Sequence, residues 1–179
     1  MAEIIKTYKQ SIPAMRFIGK KYGDGQYTDW GYVYWGGNWG DAFAFDVFGK
    51  VESASGGEDK SHSLYEDNNG YIGLCYRNAK TGAYDAWVGM FAPPETKVDE
   101  GLDYIDFPSQ NLGVCWIYGK ENEVHGLIPQ CSSKIISAGM EIRSDEHGYI
   151  GFFERDQCPR FTTPDEKGNV ILDYGFYLR

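Results

Sequence analysis

Alternating apolar and polar positions predict extended structure over much of this 179-residue chain. Residues 3–22 and 103–120 are predicted to be strands, and each is interrupted by a proline, because Pro13 and Pro108 cannot donate a ladder hydrogen bond. Four further alternating segments predict two hairpins, residues 70–78 with 83–91 and residues 148–155 with 171–178.

Large apolar side chains four residues apart predict the first helical region. Trp39, Phe43 and Val47 have this spacing, which brings side chains together on one face of a helix. The pattern starts at Thr28 and predicts one helix or two short ones. A break is expected at Gly36–Gly37, since each interior glycine costs about 1 kcal/mol relative to alanine.

Polar segments separate these elements from the second half of the chain. Residues 50–69 are predicted to form an exposed loop, and residues 92–97 have the composition of a linker. Asn122 is a candidate cap for a second helix that ends near Ala138. Pro129 marks either a start or a kink within this helix.

The same order of elements occurs twice. Asp67–Arg77 returns as Asp145–Arg155 at a spacing of 78 residues, and six of the eleven positions are identical. This spacing is typical of a duplicated half-domain and too long for a solenoid repeat. We predict one domain over residues 1–179, made of two strand-helix-strand-strand modules at about 1–93 and 94–179. The fold class expected is α+β, with an antiparallel sheet and helices on one face.

Charge and cysteine content narrow the classes of function. The net charge of −9, without any block of Lys and Arg, disfavours nucleic-acid binding by this chain alone. No segment is apolar and long enough for a signal peptide or a membrane span. The four cysteines have no metal-ligand spacing, and the three histidines are too dispersed to indicate a metal site. We expect a cytoplasmic protein with reduced thiols, without a metal or a cofactor.

Glu154 is the candidate with the strongest chemical rationale. Strand alternation places it on an apolar face with Ile150 and Phe152. An enclosed carboxylate is costly unless it is paired or protonated, so it attracts a cation or acts as a base with a raised pKa. The alternative is a Glu154 at the edge of the sheet that pairs with Lys or Arg.

Aromatic residues make up 16 % of the chain and supply the other candidates. Tyr76 occupies the position of Glu154 in the first copy of the repeat and is predicted to face Glu154 across a pseudo-twofold axis; a core tyrosine is the alternative. Trp87 and Trp116 lie on predicted strands and are candidate stacking walls. The helical spacing of Trp39 favours core packing over a position in a groove.

The last strand supplies one further candidate, Tyr174. Its segment also belongs to a set of short motifs that together resemble the GyrI-like, or AraC-type, effector-binding domain family over nearly the whole chain. Phe107–Val114 resembles the family's strand that begins around a proline, Phe153–Arg155 resembles its acidic strand, and Asp173–Leu178 resembles its closing strand. The proline-containing motif that usually ends the closing strand is absent.

The resemblance implies two strand-helix-strand-strand modules with a central ligand groove between them. Family members that sense ligands, in multidrug-type sensing and transcription regulation, bind bulky and often cationic aromatic compounds with aromatic walls and a glutamate. Other members are stand-alone proteins, including a group similar to hydrolases that open strained cyclopropane rings and relatives that inhibit gyrase.

Three functions follow as hypotheses. The first is a stand-alone protein that senses or sequesters amphipathic, cationic small molecules, with Glu154 as counter-ion and Tyr76, Trp87 and Trp116 as stacking surfaces. The second is a ring-opening hydrolase in which Glu154 is the general base and the aromatic residues fix the substrate. The third is a protein partner bound at the groove or at the acidic surface.

Overall fold

Every strand pair in the described part of the chain is antiparallel. The computed structural model describes residues 1–22, 36–67, 70–77, 84–143, 151–156 and 158–179. The strands within these ranges are β1 (Glu3–Ile12), β2 (Met15–Tyr22), β3 (Ile72–Arg77), β4 (Tyr84–Ala92), β5 (Asp103–Phe107), β6 (Gln110–Gly119), β7 (Phe152–Arg155) and β8 (Val170–Tyr177). They form one eight-stranded sheet with the order β1-β6-β8-β7-β3-β4-β2-β5. The predicted α+β class is confirmed.

The two predicted proline breaks lie in one continuous ribbon. A proline follows β1 and another follows β5, and each leads within two residues into the next strand. Ile12 pairs with Gln110 and Met15 pairs with Phe107, so the register continues across both breaks. Since β1 and β5 are the two ends of the strand order, this ribbon brings the ends of the sheet together and the sheet curls.

Aromatic contacts across the curl define an inner face of the sheet. Phe107, beside one proline break, stacks on Tyr177 of β8 with the ring centroids 5.3 Å apart. Phe91 of β4 contacts both Phe107 and Phe153 of β7 edge-on. We call the side of the sheet that carries Phe91, Phe153 and Tyr177 the inner face, and the opposite side the outer face.

Helices cover the outer face. The described helices are α1 (Gly36–Ala44), α2 (Val47–Ala54), α3 (Glu58–His62), α4 (Glu121–Val124), α5 (Ile128–Ser137) and α6 (Pro159–Thr162). Val47 and Val51 of α2 pack with Val88 of β4, and Cys131 and Ile135 of α5 pack in a second outer cluster with side chains of β6 and β8. None of the helices in the described ranges has the length and apolar character needed to cross a membrane.

The predicted exposed loop at 50–69 is wrong over most of its length. Helix α2 continues to Ala54 because Val51 extends the apolar face that begins at Val47, and α3 follows. Ser61 is fully buried, and Leu64 and Tyr65 pack against the inner-face cluster. The prediction was based on the polar composition of the segment. A short helix can be mostly polar, because it needs only one row of apolar side chains to pack. Part of the helix predicted from Thr28 lies outside the described residues.

The second predicted helix is present but divided. α4, a 3₁₀ turn at His125–Leu127 and α5 cover the range in which one helix is predicted. Pro129 occupies the first turn of α5, where its missing N–H costs nothing, so it marks a start. The division places His125 at the junction between two helices.

A buried ionic network lies on the inner face. Arg155, which is fully buried, donates to Asp173 at 2.8 Å and to Gln10 of β1 at 2.6 Å. Arg160 of α6 donates to both oxygens of Asp173, at 2.7 and 2.6 Å, and to Asp67 at 2.9 Å. The network contains two guanidinium groups and two carboxylates and therefore carries no net charge.

The network fixes separate segments of the chain relative to one another. It joins β1, the segment before β3, the carboxyl end of β7, α6 and β8. Burial opposes the charge of Arg155, but the nearby Tyr65, Asp173, Tyr8 and Asp67 raise its pKa overall. The removal of one partner from such a group leaves an uncompensated charge in a site of low dielectric constant.

We expect Asp173→Asn to reduce the free energy of unfolding by about 3–5 kcal/mol, because it leaves two guanidinium groups without their shared carboxylate. Urea denaturation followed by circular dichroism measures the change. The matched control is Asp106→Asn, which removes the partner of Arg16 in a surface pair whose carboxylate side chain is 58 % exposed. That change should cost about 1 kcal/mol or less. Equal, small losses in the two variants would show that the network does not stabilise the fold.

Candidate functional site

One row of paired residues places Glu154 on the outer face. Glu154 pairs with Tyr174 on one side and with Gly73 on the other, and Gly73 pairs with Val88. Directly paired residues of neighbouring strands point to the same face of a sheet. Tyr174 belongs to the cluster beneath α5 and Val88 to the cluster beneath α2, so Glu154 lies under the helices.

Neighbouring rows place Trp87 and Trp116 on the inner face. Trp116 pairs with Asp173, and Asp173 pairs with Arg155, one residue after Glu154 and therefore on the opposite side. Trp87 belongs to the inner-face cluster together with Phe153. The backbone of the sheet separates the two tryptophans from Glu154, so a single small ligand cannot contact both sets.

Tyr76 does not lie opposite Glu154, and that prediction is wrong. Tyr76 pairs with Asp85 of β4, whereas Gly73 is the β3 residue that faces Glu154. The register of β3 with β7 offsets the two positions by three residues, which repeat equivalence alone does not reveal. The side chain of Tyr76 lies outside the part of the chain that the structure describes.

Trp39 and Tyr174 are packed into the outer-face clusters. Trp39 stacks on Phe48 of α2 with ring centroids 6.1 Å apart, as the core alternative predicted. Tyr174 is 1 % exposed and lies 5.2 Å from the ring of Phe152. The ring of Tyr174 is thus enclosed in the core, whereas Trp39 is half-buried.

Glu154 is enclosed, as its place on an apolar face suggested. It is 3 % exposed and lies on a central strand, since β7 is flanked by β8 and β3, so the sheet-edge alternative does not apply. Its Oε2 atom lies 3.8 Å from Nδ1 of His125. Burial lowers the pKa of His125, so the imidazole tends to be neutral. The predicted roles of Glu154 as counter-ion or general base stay predictions.

Asp156 joins this pair from the position directly after β7. It follows Glu154 by two residues, the spacing that sends extended side chains to one face. Potential ligand atoms of His125, Glu154 and Asp156 lie within 4.8 Å of one another. Burial raises the pKa of Asp156 to about 7, and the charge of Glu121 on α4 adds to the effect. Two carboxylates and one imidazole thus converge at a single buried point.

A cavity of about 530 Å³ opens beside this cluster. Besides His125, its lining consists of exposed residues at the start of α4 and in the loop before β8, namely Lys120, Glu121, Asn122 and Gly168. The ammonium of Lys120 donates to the backbone carbonyl of Lys167. His125 therefore connects the buried carboxylates to solvent.

Sequence reasoning missed His125 and Asp156. The three histidines are far apart in the sequence, and their separation argues against a site made of histidines alone. It gives no information on whether one histidine approaches two carboxylates 29 and 31 positions away. One local signal was available, because Glu154 and Asp156 have the spacing of two that places strand side chains on the same face. The approach of the α4 region to β7 could not be derived without the fold.

The inner face already binds cations through its aromatic rings. The ammonium of Lys6 lies 4.0 Å from the ring centroid of Trp116, and the guanidinium of Arg160 lies 4.6 Å from the same ring. Trp116 is therefore occupied by the protein's own cations. Trp87 has a more distant neighbour, the ammonium of the exposed Lys21 at 5.7 Å. The buried indole N–H of Trp87 has no hydrogen-bond partner among the described residues.

The fold is shared with solved structures of low sequence identity. A protein assigned to bacterial transcription regulation, from Staphylococcus aureus MU50, has a TM-score of 0.61 and 14 % identity over 97 % of this chain and 98 % of that one. The structure of SAV2435 bound to tetraphenylphosphonium has a TM-score of 0.63 and 14 % identity over 98 % and 94 %. An integron cassette protein from Vibrio cholerae has a TM-score of 0.52 and 10 % identity over 99 % of each chain.

No family model matches the chain, and no curated protein matches it in sequence. At identities of 10–14 % the likeness shows a common fold alone.

Gly175→Ala should test the inner-face aromatic packing. A Cβ atom at this position would lie 2.5 Å from Cε1 of Phe153 and closer still to Cζ, and Phe153 is fully buried. We expect a loss of about 1–3 kcal/mol in the free energy of unfolding because the ring must leave its place. Gly40→Ala in α1 meets no atom within 4 Å and should stabilise the protein by up to about 1 kcal/mol. Thermal unfolding by calorimetry measures both, and an unchanged Gly175→Ala variant would contradict this packing.

Proposed function

We propose that this protein is a GyrI-like effector-binding domain that binds amphipathic, cationic aromatic small molecules on the inner face of its sheet, and that Trp87 is its principal contact. The observation that carries the proposal is the pairing of an exposed lysine with a buried indole. Lys21 lies directly opposite Trp87 in the β2–β4 register, and its ammonium is over the indole ring. A ligand cation can take that position.

The exchange of the lysine ammonium over the indole ring for a ligand cation is favourable in free energy when that cation is hydrophobic. An ammonium is strongly hydrated and loses side-chain entropy when it is held over a ring, whereas a delocalised aromatic cation is weakly hydrated and buries apolar area. Cation–π contacts contribute about 0.5–2 kcal/mol, with the larger values at desolvated sites. Phe17, which meets Trp87 edge-on at 6.3 Å, holds the indole plane in place.

Charge supports a cation rather than an anion. The chain carries a net charge of −9, which attracts cations from solution. The ionic network of Arg155, Arg160, Asp67 and Asp173 is internally neutral, so it offers an anion no uncompensated guanidinium. The selectivity for cations over anions then depends on the electron-rich faces of the aromatic rings and on the negative electrostatic potential of the whole chain.

Glu154 provides a test of where the ligand lies. The hypothesis that Glu154 is the counter-ion requires a ligand on the outer face, near His125. A ligand that contacts Trp87 lies on the other side of the sheet. Variants at the two positions therefore separate the alternatives.

Calorimetric titration with tetraphenylphosphonium is the first experiment, with tetraphenylborate as an anion of the same shape. We expect the cation to bind more tightly than the anion at 0.15 M salt and above, because cation–π attraction persists when long-range charge effects are screened. Trp87→Leu should weaken cation binding by about 1–2 kcal/mol, which is about five- to thirtyfold in Kd. Trp87→Phe, which keeps a ring, should lose less.

Two control variants make the result interpretable. Trp39→Leu removes an indole from the outer face and should leave the affinity for the cation unchanged, as should Glu154→Gln. Thermal unfolding of each variant confirms that it is folded. Equal affinities for the cation and the anion would contradict the proposal, and so would an affinity that does not change when Trp87 is replaced. A loss of affinity in Glu154→Gln alone would indicate that the ligand binds on the outer face.

A further inference from the structure

We propose that His125, Glu154 and Asp156 form a binding site for one divalent transition-metal ion, with its open coordination positions directed toward the cavity at the start of α4. This site is independent of the small-molecule site, because it lies on the outer face of the sheet.

The geometry of the cluster fits a shared ion better than a hydrogen bond. Nδ1 of His125 and Oε2 of Glu154 are 3.8 Å apart, beyond hydrogen-bonding distance. Two ligand atoms that bind one zinc ion at about 2.0–2.2 Å can be separated by no more than about 4.4 Å. With all three ligand atoms within 4.8 Å of one another, small side-chain rotations bring them onto one ion.

Asp156 supplies the independent observation. It is 6 % exposed, and its Oδ2 atom has no hydrogen-bond partner among the described residues. A buried carboxylate oxygen without a donor is costly, and a bound cation removes that cost. The oxygen belongs to the same residue whose ligand atom converges with those of His125 and Glu154.

Local charge at the cluster favours the binding of a cation. The acidic groups that face the site are Glu154, Asp156 and, from the rim, Glu121. The cation at the rim, Lys120, is held by the carbonyl of Lys167. One imidazole and two carboxylates are ligands that zinc and manganese accept, whereas calcium and magnesium prefer oxygen ligands alone.

Access to solvent distinguishes this site from a closed structural one. Three protein ligands leave at least one coordination position open, and His125 lines the cavity of about 530 Å³. Water or an anionic small molecule is the chemical class that can fill that position. The ion would in turn tie the α4–α5 junction to the end of β7.

The chain offers a matched control in His62. Its ring also lies near two carboxylates, with Nε2 3.4 Å from Glu52 and Nδ1 3.7 Å from Glu58. These two carboxylates approach different nitrogens on opposite sides of the ring, so they cannot share one ion with it. His62→Ala therefore removes a histidine beside two acids without touching a convergent site.

Titration with Mn²⁺ after treatment with a chelator tests the proposal, with the free ion followed by electron paramagnetic resonance. We expect one ion per chain, displaced by Zn²⁺ and not by Mg²⁺. Asp156→Asn, which keeps the shape and removes a buried charge, should weaken binding at least tenfold, as should His125→Ala. His62→Ala should bind as the wild type does. Manganese avoids confusion with thiol sites, because carboxylate and water oxygens suit it and soft thiolates do not.

A second readout keeps the test valid if a variant folds poorly. A saturating ion that binds only the folded state must raise the unfolding temperature, and this increase should vanish in Asp156→Asn. Failure to bind Mn²⁺ or Zn²⁺ below millimolar concentration would overturn the proposal. So would a loss of affinity in His62→Ala equal to that in His125→Ala, or an unchanged affinity in Asp156→Asn.

Discussion

The buried pairing of Arg155 with Asp173 is the interaction on which the rest of the structure depends. Both side chains are fully buried, and their environment comes from segments that are far apart in sequence. A guanidinium in such a site demands carboxylates at defined positions, so β1, β7, β8 and α6 can assemble in few ways. Because the second arginine, Arg160, and Asp67 complete the set, the network is neutral and the inner face around it stays apolar.

The continuous ribbon and this network together divide the molecule into two chemical environments. The curl of the sheet turns aromatic side chains inward, where the protein's own lysines and arginines already lie over their rings. The helices cover the other side, where carboxylates and an imidazole converge under α4. The sheet between them is one backbone thick, yet the two faces differ in chemistry, and for this reason we propose a hydrophobic cation as the ligand of one face and a metal ion as the ligand of the other.

The sequence predicts the elements well and the faces poorly, for a physical reason. Alternation and proline positions predict the strands and both breaks, because these depend on local geometry. The prediction of an exposed loop at 50–69 was wrong. The short amphipathic helix α2 packs through an apolar row that includes Val47 and Val51, and so short a row does not stand out in a polar segment. The approach of His125 to Glu154 could not be predicted from the sequence. It depends on the register of β7 with β3 and on the position of the helix junction that carries His125, and tertiary packing determines both. Both faces of the central strands are apolar, so hydrophobic pattern alone could not assign Trp87 and Glu154 to opposite sides.

The run Glu154-Arg155-Asp156 shows how strand alternation separates an arginine from the two acidic residues beside it in the sequence. An arginine between two acidic residues would neutralise one of them in a helix or a loop. In an extended strand its side chain points to the other face, and here Arg155 is committed to Asp173 and Gln10 there. The two carboxylates are thus kept apart from the arginine that lies between them in the sequence, and both are buried. The imidazole of His125 lies close to them, with its Nδ1 atom 3.8 Å from Oε2 of Glu154. Two carboxylates and one imidazole that converge at one point are the set of ligand groups that the proposed metal ion requires.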